Sequence, residues 1–230
     1  MRARSNLRNA VAFAVPLALA LTATTFAVAD EAGPGWETIR NDAGIQVSRK
    51  VVPGSPFVAF RGEGDVDAPL LAVADVLVDV PHETDWMDSV REARILRKVS
   101  DTEYVMYSHL GTPPTMSDRE LVADVKVSID ADRHALTVDM HSVDDPAAPH
   151  TDYVRAVITE SSFVLRANPD GRSTHVVAEI HCDPKGSIAS WVVNLFQRSW
   201  GFNTLKSLRK QVARGAAPAN PLLRDRLGNG

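Results

Sequence analysis

Four polar residues late in the chain have the types and spacing of a metal site: His175, Glu179, His181 and Asp183. On a strand these alternate positions point to one side, and histidines with carboxylates are a zinc donor set. The interleaved residues Val176, Ala178, Ile180 and Cys182 are apolar. That alternation turns the apolar set toward a core and the polar set toward solvent, so no metal or other cofactor is expected. A second group has acid–base types: Tyr107 and His109, with Arg119 inside the triplet Asp118-Arg119-Glu120. The triplet suits either a lock at a strand start or a polar contact to a ligand head. The chain has no Gly-x-Ser-x-Gly, His-Glu-x-x-His or glycine-rich phosphate loop, and no cysteine paired with a motif histidine. The inventory predicts no catalytic residues.

The elements that must position these residues begin after a leader. Arg2, Arg4 and Arg8 precede an apolar stretch from Ala10 to Val28, which ends at Ala27-Val28-Ala29. This reads as a signal peptide, residues 1–29, cut after Ala29. It directs the chain through the general secretory route to the periplasm or outside the cell. No later segment is apolar enough to span a bilayer. The leader takes three arginines and no acid, leaving 22 basic against 29 acidic residues, a formal charge of −7. An acidic chain is poorly suited to neutralising phosphates, so no nucleic acid is expected as partner. Cys182 is the only cysteine. With no internal disulfide, the fold rests on its apolar core.

Two alternating segments, Ile45 to Val52 and Phe57 to Val66, flank Pro53-Gly54 and predict a hairpin. Trp36 to Asn41 reads as a brief helical turn. Asp67-Ala68-Pro69 starts a helix, with Asp67 as a cap and Leu70, Val73, Ala74, Leu77 and Val78 at helical spacing. His82 to Val90 reads as a short helix or loop. Strands are predicted over 93–99, 103–110, 121–129, 135–142, 153–158, 161–167 and 175–182, with a mobile loop at 143–150. A long amphipathic helix runs from Ser187 to Ala213, with Trp191, Leu195, Phe202, Leu205 and Leu208 on one face. Residues 30–214 form the domain, and 215–230 read as a disordered tail. The fold class is α+β: a curved antiparallel sheet wrapped around a long C-terminal helix, with an apolar cavity between them.

The order and spacing of several short motifs resemble the START lipid-transfer family, within the Bet v 1-like helix-grip superfamily. They are Gly35-Trp36-Glu37, Gly44-Ile45-Gln46-Val47, Phe60-Arg61-Gly62-Glu63, Trp86-Met87-Asp88-Ser89-Val90, Ser117-Asp118-Arg119-Glu120 and Asp183-Pro184-Lys185-Gly186. The resemblance covers roughly Trp36 to Val212. It implies one lipid or sterol-like ligand in a closed tunnel, transient membrane contact and a monomer. Tunnel candidates are Trp86, Met106, Tyr107, His109, Arg119, Met140, Trp191, Leu195 and Phe202. The gate would be loop 143–150 with the start of the last helix, 188–191. The family's sterol carriers bury a carboxylate and an arginine on adjacent strands; here the first strand offers Tyr107, Ser108 and His109, and the second Val125 or Lys126, instead. The alternative is a cyclase- or aromatase-like enzyme using Tyr107, His109 and Arg119.

Overall fold

A computed structural model describes residues 34–114, 116–215 and 217–227, without the side chains of 190, 191, 195 and 196. The leader 1–29 lies outside the described residues. Among the described residues, ten strands form one sheet: β1 (Glu37–Asp42), β2 (Ile45–Lys50), β3 (Ala59–Val66), β4 (Val90–Lys98), β5 (Glu103–Leu110), β6 (Arg119–Asp130), β7 (Ala135–Ser142), β8 (Val154–Arg155), β9 (Val157–Ala167) and β10 (Thr174–Asp183). Their order is β1-β2-β3-β10-β9-β7-β6-β5-β4, antiparallel throughout, and the short β8 pairs in parallel with β6. Register shifts in β4 and between His181 and Cys182 mark bulges. Such bulges bend strands, which lets a sheet this wide curl around its cover.

The cover is helical. Helix α1 (Leu70–Leu77) follows Pro69, and a 3-10 helix (Val80–Asp85) leads into β4. Asp67 does not cap α1; the helix starts at Pro69 with no side-chain cap. The single long helix expected at the C-terminus is two, α2 (Ser190–Gln197) and α3 (Trp200–Arg214). Helix α3 lies directly on β3. A Cβ on Gly62 would sit 2.6 Å from the Gly201 carbonyl oxygen, so both positions need glycine's missing side chain. Beneath α3, Val176, Ala178, Leu165, Leu205 and Leu208 are at most 1% exposed and form the centre of the core. Arg209 fastens α3 to the β1–β2 turn, donating to Ala43 O at 2.7 Å and Gly44 O at 3.0 Å.

Two further expectations need correcting. Trp36 to Asn41 is not helical: Glu37–Asp42 is an edge strand, drawn into the sheet by pairing with β2. The tail predicted to be disordered contains α4 (Pro221–Leu227). Its Leu223 is 1% exposed in the main core. Asn220 caps it, accepting from Leu222 N at 3.0 Å, while Asn220 N donates to Asp75 Oδ1 at 2.9 Å. Among the described residues, no helix is long and apolar enough to cross a membrane.

Candidate functional site

Between the sheet and its cover lies a cavity of about 390 Å³. Alternation decides which side chains reach it. Strand β5 sends in Tyr104, Met106, Ser108 and Leu110, and β6 sends in Arg119, Leu121, Ala123 and Val125. Strands β7 and β9 add Val138, Met140, Ile158, Ser161 and Phe163, and β10 adds Ile180 and Cys182. The 3-10 helix and the residues after it contribute Glu83, Trp86 and Met87, while Val193, Gln197 and Trp200 come from α2 and α3. Met116 and the loop residues Gly111 and Pro113 meet Pro184 and Ile188 around the rest of the wall.

Of the nine tunnel candidates, Trp86, Met106, Arg119 and Met140 line this cavity. Tyr107 and His109 do not. They alternate with Met106 and Ser108 on β5, so they face the opposite side of the sheet. Tyr107 is 2% exposed there, packed with Val105 and Val122 against Val143 and Ala148. Its hydroxyl bonds Glu120, and burial first, then the Glu120 carboxylate, push its pKa up to about 12. His109 Nε2 lies 2.8 Å from Asp118 Oδ2, and its ring stacks on Tyr153 at 4.1 Å. Phe202 is buried in the main core, with the Arg40 guanidinium 3.4 Å from its ring centre, and is not a lining residue. Trp191 and Leu195 belong to α2, but their side chains lie outside the described residues.

The triplet Asp118-Arg119-Glu120 does not pair internally. Asp118 holds His109 and accepts from Thr112 N at 2.8 Å. Arg119 Nε donates to Pro184 O and Nη2 to Lys185 O, both at 3.1 Å, and Nη1 donates to Ser117 O. It therefore ties the 111–118 loop to the 184–188 loop. Glu120 accepts from Thr151 at 2.7 Å and from Arg155 Nε at 3.0 Å. Burial raises its pKa, but those two donors outweigh burial and hold it below the usual carboxylate range. Loop 143–150, expected to gate the tunnel, packs on the outer face through Val143 and Ala148. The polar set on β10 also faces outward with protein partners: His175 with Asp65, Glu179 with Arg61, His181 with Ser55 and Asp183 with Lys185.

Several polar lining residues were not among the candidates, Tyr104, Gln197 and Glu83 included. Parity with Met106 would have found Tyr104. Gln197 was hidden, because the face read from the sequence ran through Trp191, Leu195 and Phe202 of one unbroken helix, whereas α2 ends at Gln197. Glu83 carried no signal, because it sits in a segment with no clear period. It is half-buried and borders the cavity, and burial pushes its pKa up to about 7. Cys182 also faces the cavity, its thiol pushed up to about 12 by burial and then by Asp183.

Comparison with known proteins gives this arrangement a family. The START domain model matches residues 17–217. The mitochondrial steroidogenic acute regulatory protein of Gallus gallus is 29% identical over 79% of this chain and 66% of its own length. Phosphatidylcholine transfer protein of Bos taurus is 25% identical over 77% of this chain and 84% of its own. The crystal structure of a STAR-related lipid transfer protein from Xanthomonas axonopodis is 31% identical, covers 78% of this chain and 99% of that one, and superposes with a TM-score of 0.69. With its helix-covered sheet and apolar cavity, the chain belongs to the START domain family.

Proposed function

We propose that this protein is an exported carrier that binds one lipid or sterol-like molecule in the cavity and passes it between membranes. The observation that carries the reading is the cavity itself: about 390 Å³, walled mainly by apolar side chains from five strands and the C-terminal helices. That is the size and character of a small-molecule site. Each sequestered methylene contributes ~0.8 kcal/mol, so one acyl chain supplies ample affinity without a covalent step. The bovine and Xanthomonas relatives are named for lipid transfer, which supports the same activity here. The enzyme alternative asked Tyr107, His109 and Arg119 to act together, and the sheet separates the first two from the third. Export rests on the leader: Arg2, Arg4 and Arg8, the apolar stretch and Ala27-Val28-Ala29.

Entry would come through the loops that Arg119 joins, 111–118 and 184–188. The test is transfer of a fluorescent fatty ester between donor and acceptor vesicles. Wild-type protein speeds transfer, and Ala123→Trp, which fills the cavity from β6, abolishes that gain while the chain stays folded by circular dichroism. Undiminished transfer by the Trp variant would contradict the reading. Mass spectrometry of the secreted chain checks export, with Asp30 expected as its first residue.

A further inference from the structure

The cavity wall carries a charge that the chain does not balance. Arg119 is the one cation among the described lining residues, and it is 6% exposed. Its three nitrogens donate to the carbonyls of Ser117, Pro184 and Lys185, which are neutral. The acids beside it in sequence are engaged elsewhere, Asp118 with His109 and Glu120 with Arg155. Among the described residues no carboxylate forms an ion pair with Arg119. Glu83 is the one carboxyl among the described lining residues, and burial pushes its pKa up to about 7, which makes it a weak counter-ion. A guanidinium has five N–H groups, so Nη1 and Nη2 each keep one after these bonds. Carbonyls offer dipoles but no charge, and a buried cation without a counter-ion is costly.

The place of this charge suits a head group. Arg119 opens β6 opposite Leu110 and ties together the 111–118 and 184–188 loops, which supply Thr112, Pro113, Pro184 and Ile188 to the wall. Ser108 lies diagonal to it across the β5–β6 ladder, lines the same cavity and carries a hydroxyl donor. Beyond them the two strands line the cavity with apolar Met106, Ala123 and Val125. Gln197 Oε1, buried without a partner among the described residues, asks for a donor and is no part of this site. Resting on the lipid-binding reading, we infer that the ligand is an acidic lipid, its carboxylate or phosphate held by Arg119 between the two loops and its chain lying along β5 and β6. Both heads present the anionic oxygens that a guanidinium fork binds. The ligand supplies the counter-ion that the wall lacks.

The test compares three ligands with the same single eighteen-carbon chain: oleate, 1-oleoyl lysophosphatidic acid and neutral oleyl alcohol. Binding to the mature secreted wild-type chain is followed at pH ~8, where both acids are ionised, by intrinsic fluorescence, since Trp86 and Trp200 line the cavity. At least one acid should bind ~10-fold or more tighter than the alcohol, and the tighter acid names the head as carboxylate or phosphate. A smaller preference, or a reversed one, overturns the inference while leaving lipid binding intact. If none of the three binds, the lipid-binding reading fails and this inference with it. The role of Arg119 is read without a variant by NMR of the bound head, carbon-13 for the carboxyl or phosphorus-31 for the phosphate. Beside a guanidinium the head should titrate about 1 pH unit or more below the same lipid in neutral micelles; titration at or above the micelle value overturns that role. Arg119→Gln should bring acid and alcohol within about threefold of each other, while Arg119→Lys, which keeps the charge, retains a preference for the acid. An unchanged preference in Arg119→Gln also overturns the role of Arg119.

Discussion

Single residues here divide between those that hold the fold and those left open to a ligand. Glu83 is open, and its burial has a measurable sign. Its pKa is about 7 in the folded chain against an ordinary 4.5. Between those values the folded state keeps a proton that the unfolded state releases, so stability is lost as pH rises through about 7. Glu83→Gln should melt with wild type near pH ~5 and above it near pH ~8, by thermal denaturation of ligand-free protein. A variant less stable than wild type at the higher pH would mean the carboxylate has a stabilising partner. Arg119 is the converse: each of its three nitrogens donates to a main-chain carbonyl. Arg119→Ala strands the carbonyls of Ser117, Pro184 and Lys185. It should cost about 3 kcal/mol in urea unfolding and speed ligand release. Unchanged release would remove the two loops as the entry route. At this scale the sequence was only partly legible. Met106 and Tyr107 are adjacent on one strand and cannot share a face, so naming both as lining ignored a period the sequence itself displays. Arg119 was named from its motif, although two of its three partners are carbonyls 65 and 66 residues away that no local pattern reveals.

Elements show the same division between local signal and tertiary context. The alternation of β5, β6, β7 and β10 is strong and was read with bounds close to those observed. Alternation failed at β1, whose burial pattern is almost wholly exposed and whose strand state comes from its partner β2. The break between α2 and α3 was also hidden, because the amphipathic stripe runs on through Arg198 and Ser199. What the sequence does not display is the contact of Gly201 with Gly62, where helix and strand backbones touch. Gly62→Ala places a Cβ 2.6 Å from the Gly201 carbonyl oxygen. Lifting α3 to make room should cost roughly 1–3 kcal/mol in chemical denaturation, and a neutral result would mean α3 is not seated on β3. Helix α4 was missed because two prolines and mixed charge read as a tail, although Leu223 anchors it. Leu223→Ala should cost about 2–5 kcal/mol, where an unstructured tail would give no change in the same melt.

For the whole molecule, the order hairpin, helix, strands and terminal helices fixed the architecture, because an antiparallel sheet with one apolar face needs a cover. The resemblance in its motifs pointed to the same fold, and the family match over residues 17–217 supports it. Composition said less about what fills the cavity, since its wall is drawn from five strands and the C-terminal helices that only folding brings together. The account's central claim is that the cavity holds one lipid. The most direct measurement is native mass spectrometry of the secreted mature chain, followed by extraction of whatever co-purifies. The account predicts a one-to-one adduct of lipid mass that is lost from Ala123→Trp. A secreted wild-type chain that carries no adduct, and takes none up from vesicles supplied with lipid, would contradict it.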